Sequence, residues 1–219
     1  MSEFIKLLPP YLIQRYKNWK ITGYEKSKDW YKKLANEGQN PSAMVISCCD
    51  SRIHTTSIFG ADLGEFFIHR NIANIVPPFN PNGDHHGTSA AVEYAIKTLK
   101  VLNIIVIGHS NCGGIHSGYN LFKGNLCLDN SIFVKKWLSI LRPAFETVLL
   151  RNSEISDKAG IEMLEKESIL TSINNLIEFP FIKDCLIKKD LNLHGLWHDI
   201  ETGDIQFLDP NSLQFKKLD

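Results

Sequence analysis

The sequence lacks an excess of charge of either sign. Its 24 Lys and Arg residues balance 24 Asp and Glu residues, so the formal net charge is zero at pH 7. A neutral chain gives no electrostatic reason to expect binding to nucleic acid or to an acidic membrane surface. We therefore expect neither partner, and the charge balance also does little to keep copies of the chain apart.

Long apolar runs are absent as well. The N-terminus has no basic start followed by an apolar stretch, which argues against a secretory signal. The most apolar internal run, residues 101–108, is too short to span a membrane and has the length of a buried strand. Five cysteines, an odd number, argue against a disulfide framework. These observations predict a cytoplasmic protein, and they favour metal binding or catalysis for a cysteine that lies in a motif.

The central region carries the pattern of an α/β fold. Buried parallel strands appear as short apolar runs, and amphipathic helices show a period near 3.6 residues. Strands alternate with helices here, which predicts a mostly parallel central β-sheet flanked by helices and joined by right-handed crossovers. The predicted strands are residues 43–47, 65–69 and 103–107, and the predicted helices are residues 88–99 and 113–122.

An N-terminal helical arm precedes this region. Residues 3–18 and 24–37 show amphipathic helical patterns separated near Gly23. The apolar face of the first helix has little to pack on locally. We therefore interpret residues 1–38 as an arm that packs on a partner subunit. The residues on this apolar face are Leu7, Leu8, Leu12, Ile13 and Tyr16.

The rest of the chain, residues 39–219, is interpreted as one α/β catalytic domain with a C-terminal helical and hairpin extension. Residues 129–178 are predicted to be helical, with a break at 157–160. Strands are predicted at 191–200 and 205–208, since a turn sequence between them is typical of a hairpin.

Two clusters of reactive side chains follow predicted strands. Cys48, Asp50 and Arg52 come directly after the first strand, and His109 and Cys112 follow the third. Carboxyl ends of parallel strands share one edge of the sheet, where ligands bind in open α/β folds. Two thiolates and one imidazole suit zinc, which keeps a fourth position open in catalytic sites. Asp50 could fill that position or stand beside it, and inert buried thiols are the alternative interpretation.

These residues resemble the signature of the β-class carbonic anhydrases. Cys48-x-Asp50-x-Arg52 and His109-x-x-Cys112-Gly-Gly carry the resemblance, which covers most of residues 39–208. It implies one Zn²⁺ per chain, held by Cys48, His109 and Cys112. It also implies reversible hydration of CO2 to bicarbonate and a proton, by attack of zinc-bound hydroxide on CO2. Zinc suits this reaction because it lowers the pKa of bound water from about 15.7 to about 7.

The resemblance also implies roles for the remaining motif residues. The planar guanidinium of Arg52 would pair with Asp50 and hold this carboxylate off the metal, so that it orients the attacking oxygen. Family members are dimers or larger assemblies with the pocket between subunits, so we expect a homodimer or homotetramer. The CO2 and bicarbonate pocket implied by plant-type members consists of Gln39, Phe67, Ile72, Tyr94 and the backbone N–H of Gly113.

Two residues that differ from the other common bacterial branch of the family place the chain in the plant-type branch. The other common bacterial branch has a tryptophan and a late tyrosine that, with an arginine, form a non-catalytic bicarbonate site. Val45 and His198 occupy those positions here and only Arg70 is kept, so we expect no such inhibitory site.

The residue that would carry the proton away is not identified by the resemblance, because Thr98 stands where some plant members have a proton-carrying histidine. The histidines that could substitute are His54, His85, His86 and His116.

Three alternatives stay open at this point. A related hydrolase of CS2 or COS would use the same zinc chemistry and differ only at the pocket entrance. A non-catalytic bicarbonate-binding homologue would keep the fold, although the Asp50–Arg52 pair and Gln39 argue against it. A thiol redox protein would use Cys48 and Cys49, but adjacent cysteines lack the C-x-x-C geometry that tunes thiol reactivity.

Overall fold

A computed structural model describes residues 4–84, 86–151 and 154–218 of the chain. It contains two compact units, Met1–Gln39 and Asn40–Asp219. Within the described residues, every helix is too short or too polar to cross a membrane.

The first unit consists of two helices, and it corrects the predicted helix start. Helix α1 spans Pro10–Trp19, with a proline at its first position, where the missing N–H costs no hydrogen bond. Residues 5–9 are not helical. Pro9 has an extended ψ of 138° because it precedes another proline, which disfavours helical geometry at that residue. The predicted start at residue 3 is therefore wrong.

The predicted break at Gly23 is also wrong. A π-helical turn, Lys20–Tyr24, carries the helix through this glycine, and helix α2 spans Lys28–Glu37. A Cβ at position 23 would lie 2.8 Å from the Trp19 ring, so the glycine serves close packing rather than a break. No residue of α1 or α2 is buried.

The second unit contains the six-stranded sheet, which confirms the predicted fold class. The strand order is β2-β1-β3-β4-β5-β6; the first four run parallel, and the last two pair antiparallel. The C-terminal hairpin of β4 and β5 is confirmed, while the short edge strand β6 has no apolar run that could have predicted it. The strands are β1 Ala43–Cys48, β2 Phe66–Asn71, β3 Asn103–His109, β4 Asn192–His198, β5 Ile205–Leu208 and β6 Phe215–Lys217.

The helices of the second unit pack around the sheet, and the start of one of them, α8, corrects a prediction. The predicted break at 157–160 is wrong, because these residues form the first turn of α8, where the Ser156 hydroxyl accepts a hydrogen bond from Ala159 N–H. Gly160 is there for packing, since a Cβ would lie 2.4 Å from the Tyr119 hydroxyl oxygen. The helices are α3 Thr55–Phe59, α4 His86–Glu93, α5 Gly113–Phe122, α6 Ile132–Leu138, α7 Arg142–Arg151, α8 Asp157–Ile177 and α9 Pro180–Lys188.

Two apolar clusters form the core of this unit. The first lies between the sheet and helices that include α8, with Met44, Ile104 and Ile169 fully buried. The second lies at the carboxyl edge of the sheet and includes Cys48 and Cys112 among its members. The two thiols of the signature therefore stand in apolar surroundings.

Candidate metal centre

The reactive side chains lie at a reversal in the strand order. β1 and β3 are neighbours, but β1 is followed by β2 on one side and β3 by β4 on the other. Such a reversal opens a crevice beyond the carboxyl ends of the two strands, and ligands bind there in α/β folds. β1 ends at Cys48, β3 ends at His109, and Cys112 precedes the first residue of α5.

The ligand atoms of Cys48, His109 and Cys112 lie within 4.8 Å of one another, and all three residues are buried. The two sulfurs are 3.9 Å apart. Two thiolates bound to one zinc at about 2.3 Å in tetrahedral geometry would have sulfurs about 3.8 Å apart. The sulfurs are thus already at the separation that a shared zinc ion requires.

The hydrogen bonding of His109 selects its ligand atom. Nδ1 lies 2.9 Å from the Ser110 carbonyl oxygen, which can only accept, so the ring proton is on Nδ1. Nε2 is buried and has no hydrogen-bond partner in the described part of the chain. A buried lone pair without a partner is costly, and a metal ion is the usual partner of an imidazole oriented in this way.

The protonation of the two thiols also fits a cation between them. Their shared hydrogen bond lowers the pKa of Cys48 to about 4 and raises the pKa of Cys112. Backbone N–H groups of Asp50 and Ala73 help to lower the pKa of Cys48, and those of Gly114 and Ile115 oppose the rise at Cys112. Two thiolates at this distance repel each other, so both ionise only with a positive ion beside them.

A strained turn after β2 brings the Ala73 N–H to the Cys48 sulfur. Ala73 and Asn74 are buried and have φ angles of 62° and 49°, in the left-handed region. This conformation costs an alanine about 1–2 kcal/mol, and it costs an asparagine less because asparagine tolerates the left-handed region. The Asn71 side chain closes this turn, because it accepts from Ile75 N–H at 2.9 Å and donates to the Ile75 carbonyl at 2.8 Å.

Asp50 and Arg52 form a bidentate ion pair beside the ligand cluster. Arg52 Nε donates to Asp50 Oδ1 at 2.9 Å, and a terminal guanidinium nitrogen donates to Oδ2 at 2.7 Å. This pairing holds the pKa of Asp50 well below its usual range. Oδ2 lies 3.9 Å from His109 Nε2, and Arg52 also donates to the Asn111 carbonyl at 3.0 Å. The carboxylate therefore faces the crevice while both of its oxygens are engaged by Arg52.

Arg70 has a backbone role that its sequence position did not reveal. Its guanidinium donates to the carbonyl of Cys48 at 2.9 Å and to the carbonyl of Asp50 at 2.7 Å. Val45, which occupies the position of the tryptophan in the other branch's bicarbonate site, is fully buried inside β1. Arg70 therefore fixes the path of the chain between the first thiol and the carboxylate.

The apolar pocket residues fall into two groups. Ile72 lies on the strained turn against α5, since a Cβ at Gly114 would be 2.8 Å from its Cγ2. Gly113 opens α5, where first-turn N–H groups have no partner inside the helix. The structure thus brings these two residues to the crevice beside the ligand cluster.

Phe67 and Tyr94 pack on each other, with ring centroids 5.9 Å apart, but not beside the ligands. Phe67 pairs with Met44, which precedes Cys48 by four residues of β1. That spacing is about 13 Å along a strand. Gln39 is the last residue of the first unit. Within one chain, Phe67 and Tyr94 are therefore separated from the cluster.

The histidines considered as proton carriers have local partners. His54 Nδ1 bonds with the Ser57 hydroxyl at 2.8 Å, and His86 bonds with the Gly83 carbonyl. His116 lies on α5 next to the Asn120 amide. His85 is outside the described residues.

Sequence reasoning missed Glu165, a buried carboxylate behind the site. One oxygen accepts from the Cys112 N–H and the other from the Trp197 indole N–H, both at 3.1 Å. Burial raises the pKa of Glu165 to about 7. The available signal was its spacing, because Glu165 falls between Ile161 and Ile169 at four-residue intervals on one face of α8.

Comparisons with known proteins agree with this geometry. The family model described as carbonic anhydrase matches residues 43–205. The relative "Beta carbonic anhydrase 3" of Arabidopsis thaliana is 37% identical over 186 residues, which cover 85% of this chain and 71% of the relative. The solved structure of the β-carbonic anhydrase CcaA is 31% identical, with a TM-score of 0.88 over 95% of this chain and 91% of that chain. A structure described among two tetrameric β-carbonic anhydrases of Sordaria macrospora is 30% identical, with a TM-score of 0.77 over 90% of this chain and 95% of that chain.

Proposed function

This chain belongs to the β-class carbonic anhydrases, and from that premise we propose that Cys48, His109 and Cys112 hold the zinc ion with which it interconverts CO2 and bicarbonate. The observation that carries the ligand assignment is the buried, unpartnered Nε2 of His109 beside two sulfurs 3.9 Å apart. When bound, zinc supplies a Lewis acid that makes water nucleophilic at neutral pH.

Asp50 and Arg52 have complementary roles in this proposal. An ionised carboxylate can only accept hydrogen bonds, so Asp50 accepts the O–H of the attacking oxygen and turns its lone pair toward CO2. Arg52 keeps Asp50 ionised and occupies both of its oxygens, which restrains the carboxylate from moving onto the ligand position. The Gly113 N–H stabilises the negative charge that develops on the substrate oxygens.

We further propose that the substrate pocket is completed by a second copy of the chain. The separation of Phe67 and Tyr94 from the ligand cluster supports this, since both residues would then line the partner's crevice together with Gln39. The exposed apolar side chains of α1 fit an arm that packs on another subunit. Tetramers are described for the Sordaria macrospora relatives, and a homodimer or homotetramer is the assembly we propose here.

A cytoplasmic location is the compartment we propose. Its support is chemical, because Cys48 and Cys112 must both stay reduced to bind a metal ion, and the cytosol keeps thiols reduced.

The direct test is stopped-flow CO2 hydration from about pH 6.5 to about pH 9, with zinc measured on the same sample. We expect about one zinc per chain and hydration that disappears on chelation and returns when zinc is added back. CS2 and COS serve as competing substrates in parallel runs. Absence of zinc, or zinc with no hydration at any pH, would contradict the proposal, and faster hydrolysis of CS2 or COS would favour the alternative hydrolase.

Replacing Gln39 with alanine tests the pocket assignment. We expect the KM for bicarbonate to rise about tenfold with little change in zinc content, because one hydrogen bond to the substrate is lost. Gln14→Ala removes an exposed amide on α1 and serves as the matched control. An unchanged KM in Gln39→Ala would remove Gln39 from the pocket.

Mixed oligomers decide which chain supplies Gln39. A hybrid dimer of Gln39→Ala and Cys112→Ala chains contains one intact site of two if the residues come from different subunits, and about half of the wild-type kcat/KM for bicarbonate should remain. If both come from one subunit, the dimer keeps only a Gln39-deficient site, with about one twentieth of the wild-type kcat/KM, because a tenfold higher KM lowers kcat/KM tenfold. Co-expression with two different tags isolates the hybrid for this measurement.

A further inference from the structure

Glu165 is a buried carboxylate that the proposed mechanism does not use. It lies in the middle of α8 and is only 3% exposed. A carboxylate is kept out of water at a high cost unless its oxygens are hydrogen-bonded. Both of its oxygens are bonded here, one to the backbone of a metal ligand and one to a tryptophan side chain.

The bond to Cys112 replaces a helix-capping interaction. Cys112 is the N-cap residue of α5. In a capping box, a Glu or Gln three residues later accepts the N–H of the N-cap residue, but that position is Ile115 here. Glu165 supplies the missing carboxylate from another helix, at 3.1 Å.

Other residues of the same turn are held by separate partners. The Ser110 N–H donates to the His198 carbonyl at 2.9 Å, and the Ser110 hydroxyl donates to Asp199 at 3.2 Å. Asn111 has a left-handed φ of 55°, and its carbonyl accepts from Arg52 at 3.0 Å. The hydrogen bond that Glu165 accepts fixes the last residue of this turn, Cys112, whose side chain bears the sulfur.

We propose that Glu165 is a positioning residue that holds the Cys112 backbone, and through it the Cys112 sulfur, in the geometry that zinc requires. This inference rests on the proposed function of the Cys48, His109 and Cys112 cluster. Trp197 secures the second oxygen of Glu165, and Lys166 Nζ lies 4.4 Å from the centroid of the Trp197 ring. The carboxylate thereby connects α8 and β4 to the ligand turn.

Removal of the carboxylate should weaken zinc binding more than it destabilises the fold. The Cys112 N–H would become a buried donor without a partner, and the turn can regain a partner only by rotating. That rotation displaces the sulfur. The apolar contacts of α8 with β3 and β4 do not depend on this bond, because Ile169 packs against Gly108 of β3, and Ile169 and Ile173 pack against Gly195 of β4.

The test compares Glu165→Ala and Glu165→Gln in the zinc-loaded protein. Zinc release to a chelator should be about 10- to 100-fold faster in Glu165→Ala, as is typical when a partner of a metal ligand is lost. Glu165→Gln should bring release part of the way back to wild type, because its amide oxygen can still accept the Cys112 N–H while its amide NH2 group cannot accept the Trp197 N–H. Glu146→Gln alters an exposed carboxylate on α7 and should match wild type.

Cobalt substitution supplies a readout that a purely structural role would not move. The thiolate-to-cobalt absorption bands should shift in Glu165→Ala and return toward wild type in Glu165→Gln. Trp197→Phe removes only the second anchor and should give an intermediate rate of zinc release, so the inference remains testable if Glu165→Ala does not fold.

The outcomes separate this inference from the proposed function. If wild-type protein binds zinc, and Glu165→Ala releases it at the wild-type rate with unchanged cobalt bands, Glu165 does not position the ligand. A wild-type protein that binds no zinc would instead overturn the proposed function, and this inference with it.

Discussion

Replacement of Cys112 with alanine is expected to lower kcat/KM for CO2 hydration by at least about a thousandfold and to leave much less than one zinc per chain. The variant keeps Cys48 and His109, which are only two protein ligands. The apparent binding free energy of about 10–16 kcal/mol for a four-ligand zinc site depends on all of its ligands. Metal analysis and stopped-flow hydration on the same preparation check both expectations.

Cys127→Ala is the matched control for this variant. Cys127 is exposed and donates to Asp129, away from the cluster, so its replacement should leave zinc content and activity unchanged. A Cys112→Ala protein with full activity would be incompatible with the ligand assignment. Circular dichroism of both variants shows whether the loss of metal is separate from a loss of fold.

Asp50→Asn should lower kcat/KM by about a hundredfold or more while the zinc content stays near wild type. Asparagine keeps the shape of the side chain but presents an N–H donor where the attacking oxygen needs an acceptor. The ion pair with Arg52 is also lost. Arg52→Lys should cause a smaller decrease, because an ammonium group cannot reproduce the bidentate contact.

The pH dependence sharpens this second prediction. Arg52 holds the pKa of Asp50 below its usual range, so the carboxylate is ionised throughout the assay range and at any higher pH. The defect of Asp50→Asn should therefore be the same from about pH 6.5 to about pH 9. A defect that vanishes toward high pH would show that Asp50 acts otherwise. Asp190→Asn, at an exposed aspartate, is the control for loss of one negative charge.

The sheet and the ligand set could be predicted because both follow from short-range patterns. Apolar runs marked β1 and β3, and parallel strand ends share an edge, so Cys48 and His109 had to approach each other. Helix boundaries were less predictable where one residue type can serve two purposes. Gly23 and Gly160 resemble breaks in sequence, yet both are present because a neighbouring aromatic ring leaves no room for a Cβ.

The remaining features depend on contacts between residues distant in sequence. Glu165 bonds to Cys112 across 53 positions of the chain, and no local spacing specifies that partner. The sequence shows only that Arg70 lacks the two companions it has in the other branch's bicarbonate site, whereas its two bonds to backbone carbonyls appear only once β1 and β2 are paired. The separation of Phe67 from the cluster likewise follows from strand register and not from composition.

The left-handed pair Ala73 and Asn74 has a consequence for the order of folding and metal binding. Both residues are buried, so the packed core around them compensates their backbone strain. Ala73 belongs to the same apolar cluster as Cys48 and Cys112, and its N–H lowers the pKa of Cys48. Small zinc domains owe their folding to the ion that they bind. In this larger unit the packing that offsets the strain of the ligand turn comes from apolar side chains, so folding does not have to depend on the metal alone.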